Sequence, residues 1–130
     1  MYHLPNELKN IIEKYSIFLK IENLALYIKT LNNNNWKIKF NKDHILQYYK
    51  NTIKYRKCYC IAQYKYGLEI ILNIYVNLSK KEKPFYFKIV YPTYMWDCNR
   101  YSKSYNYDEI KNIIDTDSLY LIFDKYSYDD

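Results

Sequence analysis

Residues 68–78 read LEIILNIYVNL and carry the clearest structural signal in the chain. Large aliphatic residues occupy every second position, so they share one face of a β-strand, whose side chains alternate between two sides. The preceding segment, 55–64, is rich in tyrosine, and Gly67, the single glycine of the protein, lies between the two. Glycine adopts without steric cost the positive φ that hairpin turns often need. We therefore predict an antiparallel hairpin of residues 55–64 and 68–78 that turns near Gly67.

Shorter patterns on either side of this hairpin predict the remaining elements of the sheet. Trp36, Ile38 and Phe40 alternate with lysines, which is typical of a strand. Local caps, periodicity and turn residues indicate the others. They are a short helix capped by Asn41 or Asp43 and running through Tyr49, a polar connection at 79–83, a strand at 85–91, a surface loop at 93–106, a short helix at 108–114 and a strand at 119–123.

The chain begins with two successive helical stripes. The residues Leu4-Pro5-Asn6-Glu7 are typical of a helix start, because proline fits the first turn and Glu7 complements the helix dipole. Apolar residues at three- and four-residue spacing then form one stripe of Leu8, Ile11, Ile12, Tyr15, Phe18 and Leu19, and a second of Ile21, Leu24, Ile28 and Leu31. Asparagines 32–35 end the second stripe, since asparagine competes for backbone hydrogen bonds.

These elements predict an α+β fold with two N-terminal helices packed on an antiparallel sheet of about four to five strands, and a short late helix. At 130 residues the chain fits one domain, 1–130, by the usual size of domains. Hydrophobic residues make up 49% of the sequence, which is enough for one shared core.

Composition and charge are both uneven. Ile, Lys, Asn and Tyr account for just over half of the residues, and all four have A/T-rich codons. This indicates an A/T-rich genome, as in intracellular parasites and large viruses of eukaryotes, and it means that mutational pressure alone could enrich Lys and Tyr. Residues 1–65 carry 12 basic and 4 acidic side chains, whereas 66–130 carry 8 and 10. A basic half suggests a polyanionic partner; the alternative is a solvated lysine-rich surface.

Several classes of chemistry have no sequence basis. One glycine excludes glycine-rich phosphate loops. Cys58 and Cys60 lack a second pair to complete a zinc site, so they are better interpreted as small buried hydrophobes. Cys98 would need a base, and only His44 is plausible. We expect no enzyme, metal, cofactor or small-molecule substrate. Because there is no apolar run for a membrane span or signal peptide, and the cysteine count is odd, we expect a cytoplasmic protein.

The positive signal is a stretch around the hairpin in which basic and aromatic residues alternate. Lysine and arginine can neutralise phosphates, and aromatic faces can stack on unpaired bases. On a strand, Lys54 and Arg56 would share one face, and Tyr55, Lys57 and Tyr59 the other. Alternatively, the tyrosines belong to the core and the lysines protect a sheet edge. The candidate nucleic-acid-binding residues are Lys50, Lys54, Tyr55, Arg56, Lys57, Tyr59, Lys65 and Arg100.

Two other segments are candidates for contacts with a protein partner. Tyr94 and Trp96 lie in an aromatic segment that could anchor a partner or could plug one end of the core. The start of the chain resembles the first helix of F-box motifs, through LPNEL at 4–8 followed by Ile11, Ile12 and Tyr15. Leu24, Leu26 and Trp36 correspond loosely to later positions of that family, but its Val-Cys pair before the Trp is missing. The resemblance implies a ubiquitin-ligase adaptor in which Leu4, Pro5 and Leu8 contact the linker subunit.

The leading functional hypothesis is a non-catalytic factor that docks onto a large ribonucleoprotein such as the ribosome through a basic, tyrosine-rich surface. The alternative is a protein–protein adaptor that works through its N-terminal helices. Salt-sensitive RNA affinity is expected for the first and not for the second.

Overall fold

The structure is a computed structural model, and it describes residues 4–90 and 103–121. Five strands form one antiparallel sheet in the order β1-β2-β3-β4-β5, with helices on it, so the α+β class is confirmed. The elements in chain order are α1 (Asn6–Lys29), β1 (Trp36–Lys50), β2 (Ile53–Tyr64), β3 (Glu69–Asn77), β4 (Phe85–Val90), β5 (Ser104–Tyr105) and α2 (Tyr107–Asp115).

The prediction of two N-terminal helices was wrong, because a single helix, α1, runs through both stripes. Neither Gly nor Pro interrupts the chain between Leu19 and Ile21, so nothing ends the helix there. At about 100° per residue, the second stripe lies on the opposite side of the helix from the first. Only the second stripe enters the core, through Ile21, Leu24 and Ile28. None of the helices in 4–90 and 103–121 is long and apolar enough to span a membrane.

The predicted central hairpin is confirmed as β2 and β3. Gly67 has a φ of 104° in the connecting turn, where its amide donates to the carbonyl of Tyr64 at 2.9 Å. Cys60 lies opposite Leu72, and Ala62 lies opposite Ile70, so the small side chains of β2 face the aliphatic ones of β3. All four are buried, as the alternation in 68–78 predicted.

The predicted short helix through Tyr49 was wrong, since β1 continues as a strand to Lys50. Its register against β2 shifts between Asn41 and Leu46, which marks a β-bulge and interrupts the alternation of apolar residues. Asn41 does accept a hydrogen bond from the backbone amide of Asp43, at 2.9 Å, but inside the bulge and not at a helix start. Pairing with β2 then holds the rest of the segment extended.

The C-terminal predictions were correct in part. Helix α2 is confirmed and begins with a capping box between Asn106 and Glu109. The predicted strand at 119–123 was wrong within the described range, because 118–121 are helical and Leu119 is buried in the core; residues 122 and 123 lie outside that range. Most of the predicted loop at 93–106 also lies outside it, but β5 pairs with β4. The predicted strand at 85–91 is β4, and residue 91 is not described.

Asn32, Asn33 and Asn35 link α1, β1 and the end of α2 through their side chains, and we call them the asparagine bracket. The Asn33 side-chain oxygen accepts from the backbone amides of Asn35 and Trp36, at 2.8 and 2.7 Å. The Asn35 amide in turn donates to the Asp117 carboxylate at 2.9 and 3.1 Å. These side chains replace the regular backbone bonds that are lost where a helix ends and a strand begins.

One hydrophobic core lies between the sheet and the helices. The second half of α1 and the buried side chains of α2 pack into this core. Trp36 is also part of it and is only 1% exposed. Because the helices pack on only one side of the sheet, strand alternation sends every second residue to the other side. We call that side the outer face.

Candidate nucleic-acid interface

The outer face carries aromatic and basic side chains from four neighbouring strands. Directly paired residues of an antiparallel sheet share a face, so one row can be followed across it. Lys57 on β2 lies opposite Leu46 on β1 and Tyr75 on β3, and Tyr75 lies opposite Tyr86 on β4. The outer face includes Lys37, Lys39, Tyr48, Lys50, Tyr55, Lys57, Tyr59, Ile71, Tyr75, Tyr86 and Lys88.

Four tyrosines pack together at the centre of this face, and we call them the tyrosine cluster: Tyr48, Tyr55, Tyr75 and Tyr86. Tyr75 stacks on Tyr86 with ring centroids 5.0 Å apart and an interplanar angle of 14°. Tyr48 meets the edge of Tyr75 at 5.1 Å. Tyr55 contacts Tyr48 and Tyr86, in each case at 6.0 Å. Each strand from β1 to β4 thus contributes one ring to a closed set of contacts that fixes the ring positions.

Two lysines approach the same ring of this cluster. The Nζ atoms of Lys57 and Lys88 each lie 5.7 Å from the centroid of Tyr75, within the range of cation–π attraction. The pKa of Lys88 is lowered by burial and, secondarily, by the positive charges of Lys50 and Lys57. Burial alone lowers the pKa of a lysine, and the added effect of Lys50 and Lys57 places these two cations near Lys88.

The ion pairs formed within the described part of the chain do not involve these lysines. They join Lys42 to Glu22 at 3.0 Å, Lys83 to Asp108 at 3.4 Å, and Lys111 to Asp115 at 3.1 Å. The first ties β1 to α1, the second ties the segment before β4 to α2, and the third lies within α2. Within the described residues, Lys50, Lys57 and Lys88 therefore have no acidic partner.

The hydroxyls of Tyr75 and Tyr86 stay protonated well above neutral pH. Burial raises the pKa of Tyr86 to about 12, and the neighbouring Tyr55, Tyr75 and Tyr48 hydroxyls add to the rise. Burial also raises the pKa of Tyr75, with a smaller contribution from Tyr48. A protonated phenol can donate a hydrogen bond to a phosphate oxygen. The cluster thus combines O–H donors with lysine N–H donors in one area.

A second aromatic contact lies beside the β1 bulge. The His44 ring stacks on Tyr59 with centroids 6.2 Å apart and an interplanar angle of 22°. The Asn41 amide donates to the Tyr59 hydroxyl at 2.8 Å and orients that ring. A shallow cleft of about 360 Å³ lies here, and Lys57 and Asn73 also line it. The bulge thus adds a shallow cleft with aromatic and basic side chains next to the cluster.

The structure separates the eight residues that the sequence suggested for nucleic-acid binding. Alternation along the strands brings four of them to the outer face and sends two to the other side of the sheet. Lys65 lies in the β2–β3 turn with its Nζ 5.0 Å from the Tyr66 ring, and Arg100 lies outside the described residues. On the outer face are Lys50, Tyr55, Lys57 and Tyr59; on the other side are Lys54 and Arg56.

Sequence reasoning missed Tyr75, Tyr86 and Lys88 as site residues. All three alternate with buried aliphatic or aromatic residues of β3 and β4, so their direction could have been inferred from strand alternation. Their position beside Lys57 depends on the register of three strands, which no local pattern gives.

The partner-contact candidates lie elsewhere in the chain. Leu4 and Leu8, at the start of α1, are 40% and 46% exposed, and Pro5 is the N-cap residue of that helix. Tyr94 and Trp96 lie outside the described residues.

The described cysteines are buried and poorly suited to chemistry. Burial raises the pKa of the Cys58 thiol to about 12, and burial together with Cys58 also raises the pKa of Cys60. A thiol that stays protonated is a poor nucleophile and a poor metal ligand. Within 4–90 and 103–121, no three His, Cys, Asp or Glu side chains come together as metal ligands would. Cys98 is not among those residues.

The geometry of the outer face is therefore that of a preorganised set of cations and phenol donors that could contact phosphates and unpaired bases. Comparisons of this chain with protein-family models, with curated proteins and with solved structures found no match.

Proposed function

We propose that the protein is a non-catalytic binding factor whose outer face contacts single-stranded RNA in a large ribonucleoprotein such as the ribosome. The observation that carries this proposal is the convergence of Lys50, Lys57 and Lys88 on the tyrosine cluster without an acidic partner. Cations that repel one another in the free protein gain most from an anion placed among them.

The tyrosines divide into supporting and contacting residues. Tyr55 and Tyr75 are each only 8% exposed, so they hold the cluster together and position the lysines. Tyr48, Tyr59 and Tyr86 are half-buried and keep part of each ring accessible. A base can stack on such a ring regardless of its identity, because every base has a π-face. We therefore expect weak sequence preference.

A single strand fits this surface better than a duplex does. The major groove of an A-form RNA duplex is deep and narrow, so the bases inside it are out of reach of an outer face that spans four strands. Unpaired bases can leave their stack and lie on the exposed rings, and paired bases cannot. Discrimination between single strand and duplex should therefore come from Tyr48, Tyr59 and Tyr86.

Fluorescence anisotropy with labelled RNA of roughly 12 nucleotides, within the range that one small domain covers, tests this function. We expect the single strand to bind at least several-fold more tightly than a duplex of the same sequence, and Tyr48→Leu/Tyr86→Leu to narrow the difference. Tyr66→Leu is the matched control, because Tyr66 is 78% exposed in the β2–β3 turn. Equal binding of both RNA forms, or no binding at low salt, would contradict the proposal.

A second candidate function is that of a protein–protein adaptor working through α1. It is favoured by the exposure of Leu4 and Leu8 at the start of that helix. Leu4→Glu/Leu8→Glu should then abolish capture of a partner and leave RNA affinity intact. Loss of RNA affinity with partner capture unchanged would exclude it.

A further inference from the structure

Helix α1 exposes a continuous apolar stripe on the side that faces away from the core. Its members are between 40% and 62% exposed, although all are large and hydrophobic. At about 100° per residue the members within α1 lie opposite the buried Ile21, Leu24 and Ile28, and Leu4 lies two residues before the helix begins at Asn6. We call this set the α1 stripe: Leu4, Leu8, Ile11, Ile12, Tyr15, Phe18, Leu19 and Leu26.

The size of the α1 stripe separates it from ordinary exposed leucines. Single apolar residues are common on protein surfaces, but a contiguous patch of several hundred Å² marks an interaction site. Eight large side chains that are each about half exposed give an apolar patch of several hundred Å². This area approaches the roughly 800 Å² that each partner buries in a standard interface. Tyr15 and Phe18 already stack within the stripe, with centroids 6.5 Å apart.

The charges of α1 narrow the choice of occupant. Acidic and basic side chains are nearly balanced along the helix: Glu7, Glu13 and Glu22 against Lys9, Lys14, Lys20 and Lys29. Helices that lie on anionic membranes instead have a strongly basic polar face. A nearly neutral helix neither attracts an anionic surface nor repels another copy of itself.

The sequence of the α1 stripe is self-complementary when the helix is reversed. Positions 8, 11, 12, 15, 18, 19 and 22 of α1 have the same spacing in both directions about Tyr15. Reversal places Ile11 on Leu19 and Ile12 on Phe18. The exception is Glu22 opposite Leu8, and the Glu22 carboxylate is already paired with Lys42 at 3.0 Å. An interface with two-fold symmetry requires such a self-complementary surface.

We infer that the α1 stripe is occupied by the α1 stripe of a second copy of this chain, in an antiparallel pair centred on Tyr15. Because the α1 stripe and the outer face lie on opposite sides of the fold, this dimer leaves both outer faces free. Two linked RNA-binding faces would then raise the avidity for a long strand. The dimer itself does not depend on the RNA-binding proposal.

Sedimentation analysis of the full chain tests the dimer. Wild type should sediment at about twice its 16.1 kDa at micromolar concentration, and Ile11→Glu/Leu19→Glu should be a monomer with an unchanged circular dichroism spectrum. Asn10→Glu adds a charge at an exposed position off the α1 stripe, so it should remain dimeric. A wild-type monomer up to about 100 µM, well above a micromolar Kd, would overturn the inference. An unaltered dimer in Ile11→Glu/Leu19→Glu would also overturn it.

Disulfide trapping in a Cys98→Ser background tests the arrangement. Tyr15→Cys should cross-link two chains, because both copies of residue 15 lie at the symmetry axis. Leu4→Cys should not, because the two copies of Asn6, where α1 begins, already lie roughly 27 Å apart along the paired helices, and Leu4 precedes Asn6. Efficient cross-linking through Leu4→Cys would contradict the antiparallel pair.

Discussion

Tyr75 and Tyr86 stack nearly face to face on neighbouring strands, with centroids 5.0 Å apart and planes 14° from parallel. Lys57 and Lys88 each place an amine 5.7 Å from the Tyr75 centroid. The stack therefore joins β3 to β4 and also presents one ring, Tyr75, to two cations. Stability and charge placement are coupled at Tyr75.

Removing the Tyr75 ring should destabilise the fold measurably. Tyr75→Leu loses the contacts with Tyr48 and Tyr86 as well as buried area, so we expect a loss of about 1–3 kcal/mol. Tyr75→Phe keeps the ring and should stay within about 0.5 kcal/mol of wild type. Urea unfolding followed by circular dichroism measures both. Equal stability of the Leu and Phe variants would show that the stack contributes little.

Stability should fall at alkaline pH partly because of Tyr86. Its pKa rises from 10.0 to about 12 on folding, so between these values the unfolded chain loses its proton first. The contribution of Tyr86 to the free energy of unfolding should therefore be fully present below pH 10 and be lost as the pH rises from 10 to 12. Tyr86→Phe should make this decline shallower, whereas the exposed Tyr66→Phe should not. An identical slope in Tyr86→Phe and wild type would refute the assignment.

The charge crowding around Lys88 can be measured directly. Lys57→Met removes one of the cations that lower the pKa of Lys88, so that pKa should rise. Lys54→Met removes a lysine of the same strand from the other side of the sheet and should leave it unchanged. NMR titration of the Lys88 side chain compares the variants. A Lys88 pKa that does not change in Lys57→Met would mean that the two amines are not neighbours.

The asparagine bracket should contribute more to the stability of the fold than its loop-like sequence suggests. Asn33→Ala removes the acceptor for the amides of Asn35 and Trp36, so we expect a loss of about 1–2 kcal/mol. Asn34 is exposed, and Asn34→Ala should change stability by less than about 0.5 kcal/mol. Thermal unfolding of the two variants provides the comparison, and similar melting temperatures would count against the bracket.

Local sequence patterns predicted the parts of the fold that local physics determines. Alternation in 68–78 and the positive φ of Gly67 were sufficient for the central hairpin, and Asn106 and Glu109 form the cap of the late helix. The prediction of two helices separated near Lys20 was wrong, because two apolar stripes on opposite sides of one helix give the same sequence pattern as two helices. The helix predicted after Asn41 failed for a related reason. A β-bulge interrupts the alternation of apolar residues, and the interrupted pattern resembles a helical repeat.

The sequence could predict only which side of the sheet each candidate residue faces. Alternation separated Lys57 and Tyr59 from Lys54 and Arg56, and the register of the sheet agrees with this division. It could not bring in Tyr86 and Lys88, which come from a strand that pairs with β3 and not with β2. Which lysines lie close to one another depends on contacts across three strands.

The central claim is that Lys57 and Lys88 contact phosphates, and the salt dependence of RNA binding tests it most directly. Log affinity should fall with log salt concentration, and Lys57→Gln/Lys88→Gln should flatten that slope by about 0.7 per lysine. Lys54→Gln/Arg56→Gln removes the same charge from the other side of the sheet and should keep the wild-type slope. An equal change in both variants, or none in either, would contradict the outer face as the site of binding.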